Sequence, residues 1–454
     1  MAIPARPTGR RTHLAVAVLT ASTLCALPAA AKEAPFSSTE RASVGTGGVQ
    51  GLRGSGGSAG WSTSADCRYV AFSSRAPNWV EGDTAGKRDV FVRDRAADVT
   101  EVVSVTGDGR LGNDHSALHD FSPDGRFVVF GSRATNFVPN PGPAGSIQVY
   151  LRDRTTDTTE LVSVTIDGVP ADGNSGSAAV SADGRYLVFL SSATNLAPND
   201  TDPPGAFNDY DLFLRDRELG TTRLLSRPVK GRPSSVTQDA PGISDDGRYV
   251  LFASADPRLV KGDDNKAPDV FVRDLRTGTV RLVSKDSDGR LAGKGGKRGL
   301  LSADGRVAAF MTPARFSKQD RDANSDVYVR RLTTGRTLLA SPDVPGASRA
   351  RAGIARSASI SGDGRYVVLN SQATSLAKGD TDDRYDTFVR DMVAKRSVLV
   401  SVGADGSSGP GNAYGGAISR DGTCVAFTAA ARSNLVPEDT NHAWDIYVRV
   451  RSAG

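Results

Sequence analysis

Beyond residue 35 the apolar positions fall in short runs, such as Tyr69-Val70-Ala71-Phe72 and Val90-Phe91-Val92, each bounded by Gly, Asp, Asn or Ser. No spacing of three and four residues persists along the chain, so the pattern predicts β-strands joined by turns rather than amphipathic helices. One run differs. Leu14 to Leu27 is a predominantly apolar run without charge that follows Arg6, Arg10 and Arg11 and precedes the small residues Ala29-Ala30-Ala31. It is too short to span a bilayer and reads as a secretory signal over 1–31, followed by a short linker over 32–38.

The strand pattern repeats. A turn S-x-D-G-R followed by an alternating strand recurs as SADCRYVAF, SPDGRFVVF, SADGRYLVF, SDDGRYVLF, SADGRVAAF, SGDGRYVVL and SRDGTCVAF. Its aspartates are Asp66, Asp124, Asp183, Asp246, Asp304, Asp363 and Asp421, spaced by 58 to 63 residues, which fixes seven units. Downstream in each unit lies DVFVRD, QVYLRD, DLFLRD, DVFVRD, DVYVRR, DTFVRD or DIYVRV, and then a third strand such as TELVSV. With a short inner strand before each S-x-D-G turn, every unit has four strands, a to d. The fold class is therefore all-β, a seven-bladed β-propeller over 39–451. The seventh unit ends without its own strand d. Thr39 to Val44 matches TELVSV, so this N-terminal strand is expected to complete the last blade and seal the ring.

The two motifs and their spacing resemble the secreted TolB-like, WD-type β-propeller repeat family, across essentially all of 39–451. Blade 2 departs at Gln148, and blade 7 lacks the acid after Arg449. The resemblance implies a propeller whose usual role is binding a protein or ligand, without naming the ligand.

In an antiparallel blade the a–b and c–d connections share one face of the disc. Here these are the tight D-G turns and short turns such as 275–279, whereas the b–c and d–a connections are long. Loops carried by a rigid scaffold are where binding concentrates, so the long-loop face is the expected functional face. The strand-c arginines are expected to pair with the D-G aspartates, Arg273 with Asp246 and likewise round the ring. The aromatics Phe72, Phe130, Phe189, Phe252, Phe310 and Phe427 should pack in the core.

Composition narrows the function. Removing residues 1–31, which hold three Arg and no acid, leaves 53 basic residues of the original 56 against 51 acidic. So balanced a charge gives no footprint for nucleic acid or an anionic membrane. Cys67 and Cys424 are the only cysteines left, and in an exported chain they are a candidate disulfide across the ring closure.

The b–c loops carry the remaining chemistry. Four read D-x-D/N-x-x-x-D: Asp263, Asn265 and Asp269; Asp320, Asp322 and Asp326; Asp380, Asp382 and Asp386; Asp439, Asn441 and Asp445. Oxygen ligands at alternate positions suit Ca²⁺, and the same residues can instead bond loop amides. Blade 1 has Ala85 at the middle position, and blade 2 has Asn140 without acids. His115, His119 and His442 are the histidines of the mature chain; His115-x-x-x-His119 has zinc spacing but no helix to align it. The G-x-S-x-G spacing occurs as Gly56 to Gly60, in a Gly/Ser-rich stretch without the strand–turn–helix context of a nucleophile elbow, so no catalytic residue is assigned.

The expected function is a secreted, extracytoplasmic, non-catalytic binding propeller. It would act as a monomer on a protein, peptide or glycan, with no required cofactor. Two alternatives are a propeller hydrolase or lyase with its site at the channel mouth, and a calcium-stabilised structural protein.

Overall fold

Alternation places the side chains of each run on opposite faces of a strand. In the middle strands both faces are covered by neighbouring blades, so Tyr69–Ser74 and Asp89–Asp94 are buried almost throughout. The computed structural model describes residues 1–2 and 36–451, apart from 56–60, 82–85, 199–209, 227–235, 238, 321–323, 343–355, 375, 378, 381, 404–405, 407, 410, 431–434 and 438. Most of the expected leader over 1–31 and of the linker over 32–38, together with Ala85 and Asp322, lies outside the described residues.

The fold is a seven-bladed propeller of four-stranded antiparallel sheets. Blade 4 is typical, with strands Gly242–Ile243, Tyr249–Ser254, Asp269–Asp274 and Val280–Leu282 paired in chain order. Innermost strands touch in ring order, and those of blades 7 and 1 touch as well. The last sheet takes its outer strand from the N-terminal side of the chain, where Phe36–Arg41 pairs with Asp445–Arg451. Thr39 lies opposite Arg449, and Arg41 opposite Tyr447.

This ladder starts and stops earlier than the expected 39–44. Val44 turns back to Ala42 through a 2.9 Å backbone bond, which ends the pairing. Ser43 nevertheless does what the serine after strand d does in the other blades. Its Oγ donates to Asp445 at 2.6 Å and accepts the Ile446 amide at 2.9 Å, as Ser104 does with Asp89 and Val90.

Facing aromatics of strands b and c stack within each blade, Phe252 on Phe271 at 5.7 Å and Phe310 on Tyr328 at 6.1 Å. Each such fully buried ring contributes about 1.5–3 kcal/mol of transfer free energy.

The D-G turn joins neighbouring blades as well as strands. Gly247 has φ of 68°, and a Cβ there would lie 2.3 Å from the Tyr186 ring of the preceding blade. Gly125 under Tyr69 and Gly184 under Phe127 repeat this contact. At the closing junction the same two positions hold Cys67, with φ of 62°, and Cys424, joined as a disulfide with Cα atoms 6.1 Å apart. The disulfide thus replaces the ring-on-glycine contact where the two chain ends meet. It is also the chemistry of an oxidising compartment.

The arginines pair differently from the expected Arg273–Asp246 scheme. Asp246 is occupied within its own turn, accepting Ser244 Oγ at 2.5 Å and the Arg248 amide at 3.0 Å. Tyr249 lies opposite Asp274 in register, so it is Arg248 that reaches the Asp274 carboxylate, at 2.7 Å. Arg273 instead donates to the Leu225 carbonyl of the preceding blade at 2.7 Å, and Arg330 likewise to Asp286 at 2.8 Å. In blade 7 both members of the turn pair are replaced, by Thr423 and Val450.

The Arg248 guanidinium and the amides of Arg276 and Thr277 hold the Asp274 carboxyl down at about 2, and Arg126 does the same for Asp153. Because these pKa values are depressed on folding, their stabilisation is complete above the unfolded value near 4 and is lost as pH falls from there towards 2. Asp274→Asn should therefore cost about 1.5–3 kcal/mol at pH 7 in a urea titration, and progressively less below pH 4. An equal cost at pH 7 and pH 2 would remove the charged pair from the account.

Candidate functional site

The innermost strands of all seven blades line a central cavity of about 520 Å³. Its tight-turn end is drawn together. Backbone bonds link successive S-x-D-G turns: Ala65 to Pro123 at 2.7 Å, Asp245 to Ala303 at 2.8 Å and Gly362 to Arg420 at 2.8 Å. Across them Arg420 of blade 7 meets Asp245 of blade 4 at 2.6 Å. These blades stand three places apart in a ring of seven, so the ion pair crosses the axis. Burial still raises the Asp245 carboxyl above its ordinary value, against the pull of Arg420.

Inside the channel, strand Ser116–Phe121 bulges between Leu118 and Asp120, which turns His119 inward. The imidazole lies over Gly131, where a Cβ would come within 2.7 Å of Cε1, and its Nδ1 accepts the Ala178 amide at 3.4 Å. Burial pushes this histidine down to about 4, so it is neutral at physiological pH. Burial raises Asp120, whose Oδ2 accepts the Val180 amide at 2.9 Å. Among the described residues no carboxylate hydrogen-bonds to His119. The His119 C2 proton should accordingly titrate only near pH 4 in an NMR series, and a midpoint near 6.5 would contradict this buried placement.

The long-loop end is built by the residue just before each strand c. Its carbonyl is held by the next blade's inner segment: Ser175 to Ile147 at 2.8 Å, Gly296 to Pro268 at 2.8 Å, Ala413 to Tyr385 at 2.7 Å and Ser55 to Trp444 at 2.7 Å. The main chain at this position is fixed while the side chain varies, and these side chains rim the mouth. Ile147 and Tyr210 line a second cavity of about 240 Å³, which shares His119 with the channel. On the other side half-buried Tyr385, Tyr414 and Trp444 form a row, with centroids 5.2 and 5.7 Å apart, and Arg356 sits over Tyr385 at 5.6 Å. This row was not singled out from the sequence, although its signal is visible there. Tyr385 and Trp444 occupy the variable position directly ahead of two copies of an otherwise uniform motif.

The histidines expected as weak binding candidates are not brought together. His115 is exposed and its Nδ1 accepts the Arg88 amide at 2.8 Å; His442 is exposed in the blade 7 loop; only His119 faces the channel.

The four acidic loops have four different interiors. In blade 4 the Asn265 amide donates to Asp269 at 2.6 Å and to the Ala292 carbonyl at 2.9 Å. In blade 5 the Tyr328 hydroxyl donates to Asp320 at 2.7 Å, and Asp326 accepts Ser341 at 2.7 Å. In blade 7 Arg41 of the closing strand reaches Asp439 at 3.3 Å and Asp445 at 3.6 Å, the Tyr447 hydroxyl donates to Asp439 at 3.1 Å, and Asn441 donates to the Gly51 carbonyl at 3.2 Å. In blade 6 Asp380, Asp382 and Asp386 bring one oxygen each within 4.8 Å of one another, the one such group among the described residues. Burial raises Asp380 to about 6 and Asp386 to about 7, and Asp269 of blade 4 to about 6.

No protein-family model and no curated protein sequence matches the chain. Solved structures do. Oligogalacturonate lyase from Vibrio parahaemolyticus superposes with a TM-score of 0.51 at 14% identity, over 92% of this chain and 98% of that one. An oligogalacturonate lyase in complex with manganese gives 0.50 at 14% identity, over 92% and 97%. These are likenesses of fold alone. TolB from Acinetobacter baumannii gives 0.41 at 16% identity, over 73% of this chain and 63% of TolB, less than two thirds of its length. No helix among the described residues is long and apolar enough to cross a membrane.

Proposed function

We propose that the protein is an exported, extracytoplasmic binding propeller that engages a protein, peptide or glycan partner at the long-loop mouth of its channel. The observation that carries this reading is the asymmetry of the two ends. One is bridged across the axis by Arg420 and Asp245; the other offers Tyr385, Tyr414, Trp444 and Arg356 on a pinned main chain. Tyr, Trp and Arg are the residue types that dominate the centres of interfaces, because they combine large contact area with a polar or charged group.

A lyase or hydrolase reading would rest on His119, which is neutral at physiological pH and faces the channel. Its Nδ1 accepts a backbone amide and Asp120 is engaged by another, so the binding reading accounts for more of the site.

The test is capture by immobilised mature chain, beginning at Lys32, compared with Tyr414→Ala and Trp444→Ala. Each substitution should weaken retention of a captured partner roughly tenfold or more, as loss of an aromatic hot spot does. Arg276→Ala, in an exposed turn on the opposite face, should change nothing. Equal retention by all three variants would exclude the long-loop mouth, and turnover of a captured glycan lost with His119→Ala would favour the enzyme reading.

A further inference from the structure

We infer that the blade 6 loop is a Ca²⁺ site, held by Asp380, Asp382 and Asp386, and that the corresponding loops of the other blades have given up the ion for protein donors. This stands apart from what binds at the mouth.

The argument begins with electroneutrality. Asp380 is 8% exposed and Asp386 1% exposed. Both oxygens of Asp380 and one of Asp386 are shut off from solvent and meet no side-chain donor among the described residues, and the backbone group that acts on Asp380 is the Asp382 amide. Asp386 uses its other oxygen to accept Ser401 Oγ, the bond this serine makes in every blade. Asp382 accepts the Arg384 amide at 2.9 Å, while Arg384 itself is exposed. Buried carboxylates in this state are costly unless paired with a cation or protonated.

The sister loops show what belongs there. In blade 7, whose loop aligns residue for residue, a guanidinium from Arg41 sits between the first and last aspartates. In blade 4 the middle residue is Asn265, whose amide supplies the hydrogens. In blades 5 and 7 the strand-c aromatic is Tyr328 or Tyr447, whose hydroxyl donates to one oxygen of the first aspartate. Blade 6 has Phe388 at that position and Asp382 in the middle, and among the described residues no arginine pairs with Asp380 or Asp386. Apart from the serine common to every blade, these side-chain donors have no counterpart there among the described residues, and three carboxylates converge in their place. Oxygen-only ligands on a loop suit Ca²⁺ rather than a softer metal, and favour it over Mg²⁺, which demands a stricter octahedron. Tyr385, which the loop carries to the mouth, directly precedes Asp386 and is placed to sensitise a bound lanthanide.

The probes are CaCl₂, MgCl₂ and TbCl₃ added to chelator-treated mature protein. One Tb³⁺ should bind with tyrosine-sensitised emission and be displaced by Ca²⁺ at lower concentration than by Mg²⁺. Saturating Ca²⁺ should raise the melting temperature by about 2–4 °C. Asp380→Asn should abolish both effects. In chelator it should melt no lower than the parent, since it removes an uncompensated charge, and so the variant reports on binding rather than on misfolding. Asp439→Asn, in the loop that Arg41 fills, should leave Tb³⁺ binding unchanged. Absence of emission and of a melting shift at millimolar Ca²⁺, or persistence of either in Asp380→Asn, would overturn the assignment.

Discussion

A mature chain lacking residues 36–44 is expected to lose its cooperative native state and to associate through blade 7. The segment is the outer strand of the last sheet. Removing it uncovers the edge of Asp445–Arg451 and takes away buried Phe36, Ala42 and Val44. It also strips Asp439 and Asp445 of Arg41, and Asp445 of Ser43, leaving two carboxylates, with side chains 6% and 1% exposed in the intact blade, without their guanidinium. An open edge templates pairing with other chains, and an uncompensated buried charge costs about 3–5 kcal/mol, so the two effects act together. Size-exclusion chromatography with thermal unfolding should show oligomers and a broad, lowered transition. A synthetic peptide of residues 36–44 added in trans should restore the monomer and a sharp melt. A truncated chain that stays monomeric and melts like the parent would mean that the closing strand contributes little.

The second large effect concerns the staple at the same junction. Cys67 and Cys424 join positions 357 residues apart, so in the chain-entropy account the disulfide restricts a very long loop and contributes about 4 kcal/mol or more. The double variant Cys67→Ser with Cys424→Ser should lower stability by about that amount. Cys67→Gly with Cys424→Tyr is a sharper test. It installs the ring-on-glycine contact found where Tyr186 covers Gly247, in a setting where Arg95 already donates to the Cys67 carbonyl as Arg154 does to Gly125 over Tyr69. This variant should recover at least about 1 kcal/mol over the serine pair, in keeping with the worth of a well-packed aromatic. Urea titration of the three proteins measures the difference. A glycine–tyrosine pair no more stable than the serine pair would show that the seventh junction differs in shape from the others.

How much of this was legible in the sequence follows from repetition. A contact made at every junction leaves a motif, so the D-G turn, the strand-c motif and the strand-d pattern TELVSV pointed to seven blades, their face assignment and the role of the N-terminal strand. Even the disulfide could be read, because two cysteines stood at two positions of known meaning. The strand-c arginines were misassigned because a motif gives spacing and not the occupancy of each partner. Asp246 is consumed by its own turn, which only the register of Tyr249 against Asp274 makes plain. The aromatic row joins blades 6 and 7 and the cross-axis ion pair joins blades 4 and 7, through residues that do not recur in the motif, where repetition is silent. They emerge only when seven variable positions are placed round one axis. The acidic loops lay in between. Their shared pattern suggested four equivalent sites, whereas the identity of one aromatic and one middle residue in each loop decides whether protein donors fill it.

The central claim is that the partner sits on the long-loop mouth. Hydrogen–deuterium exchange of the mature chain, with and without its captured partner, addresses this most directly. The account predicts slowed exchange around residues 385, 414 and 444, with the turns at 246–248 and 276–279 unchanged. Protection confined to those turns, with the aromatic rim still exchanging freely, would contradict it.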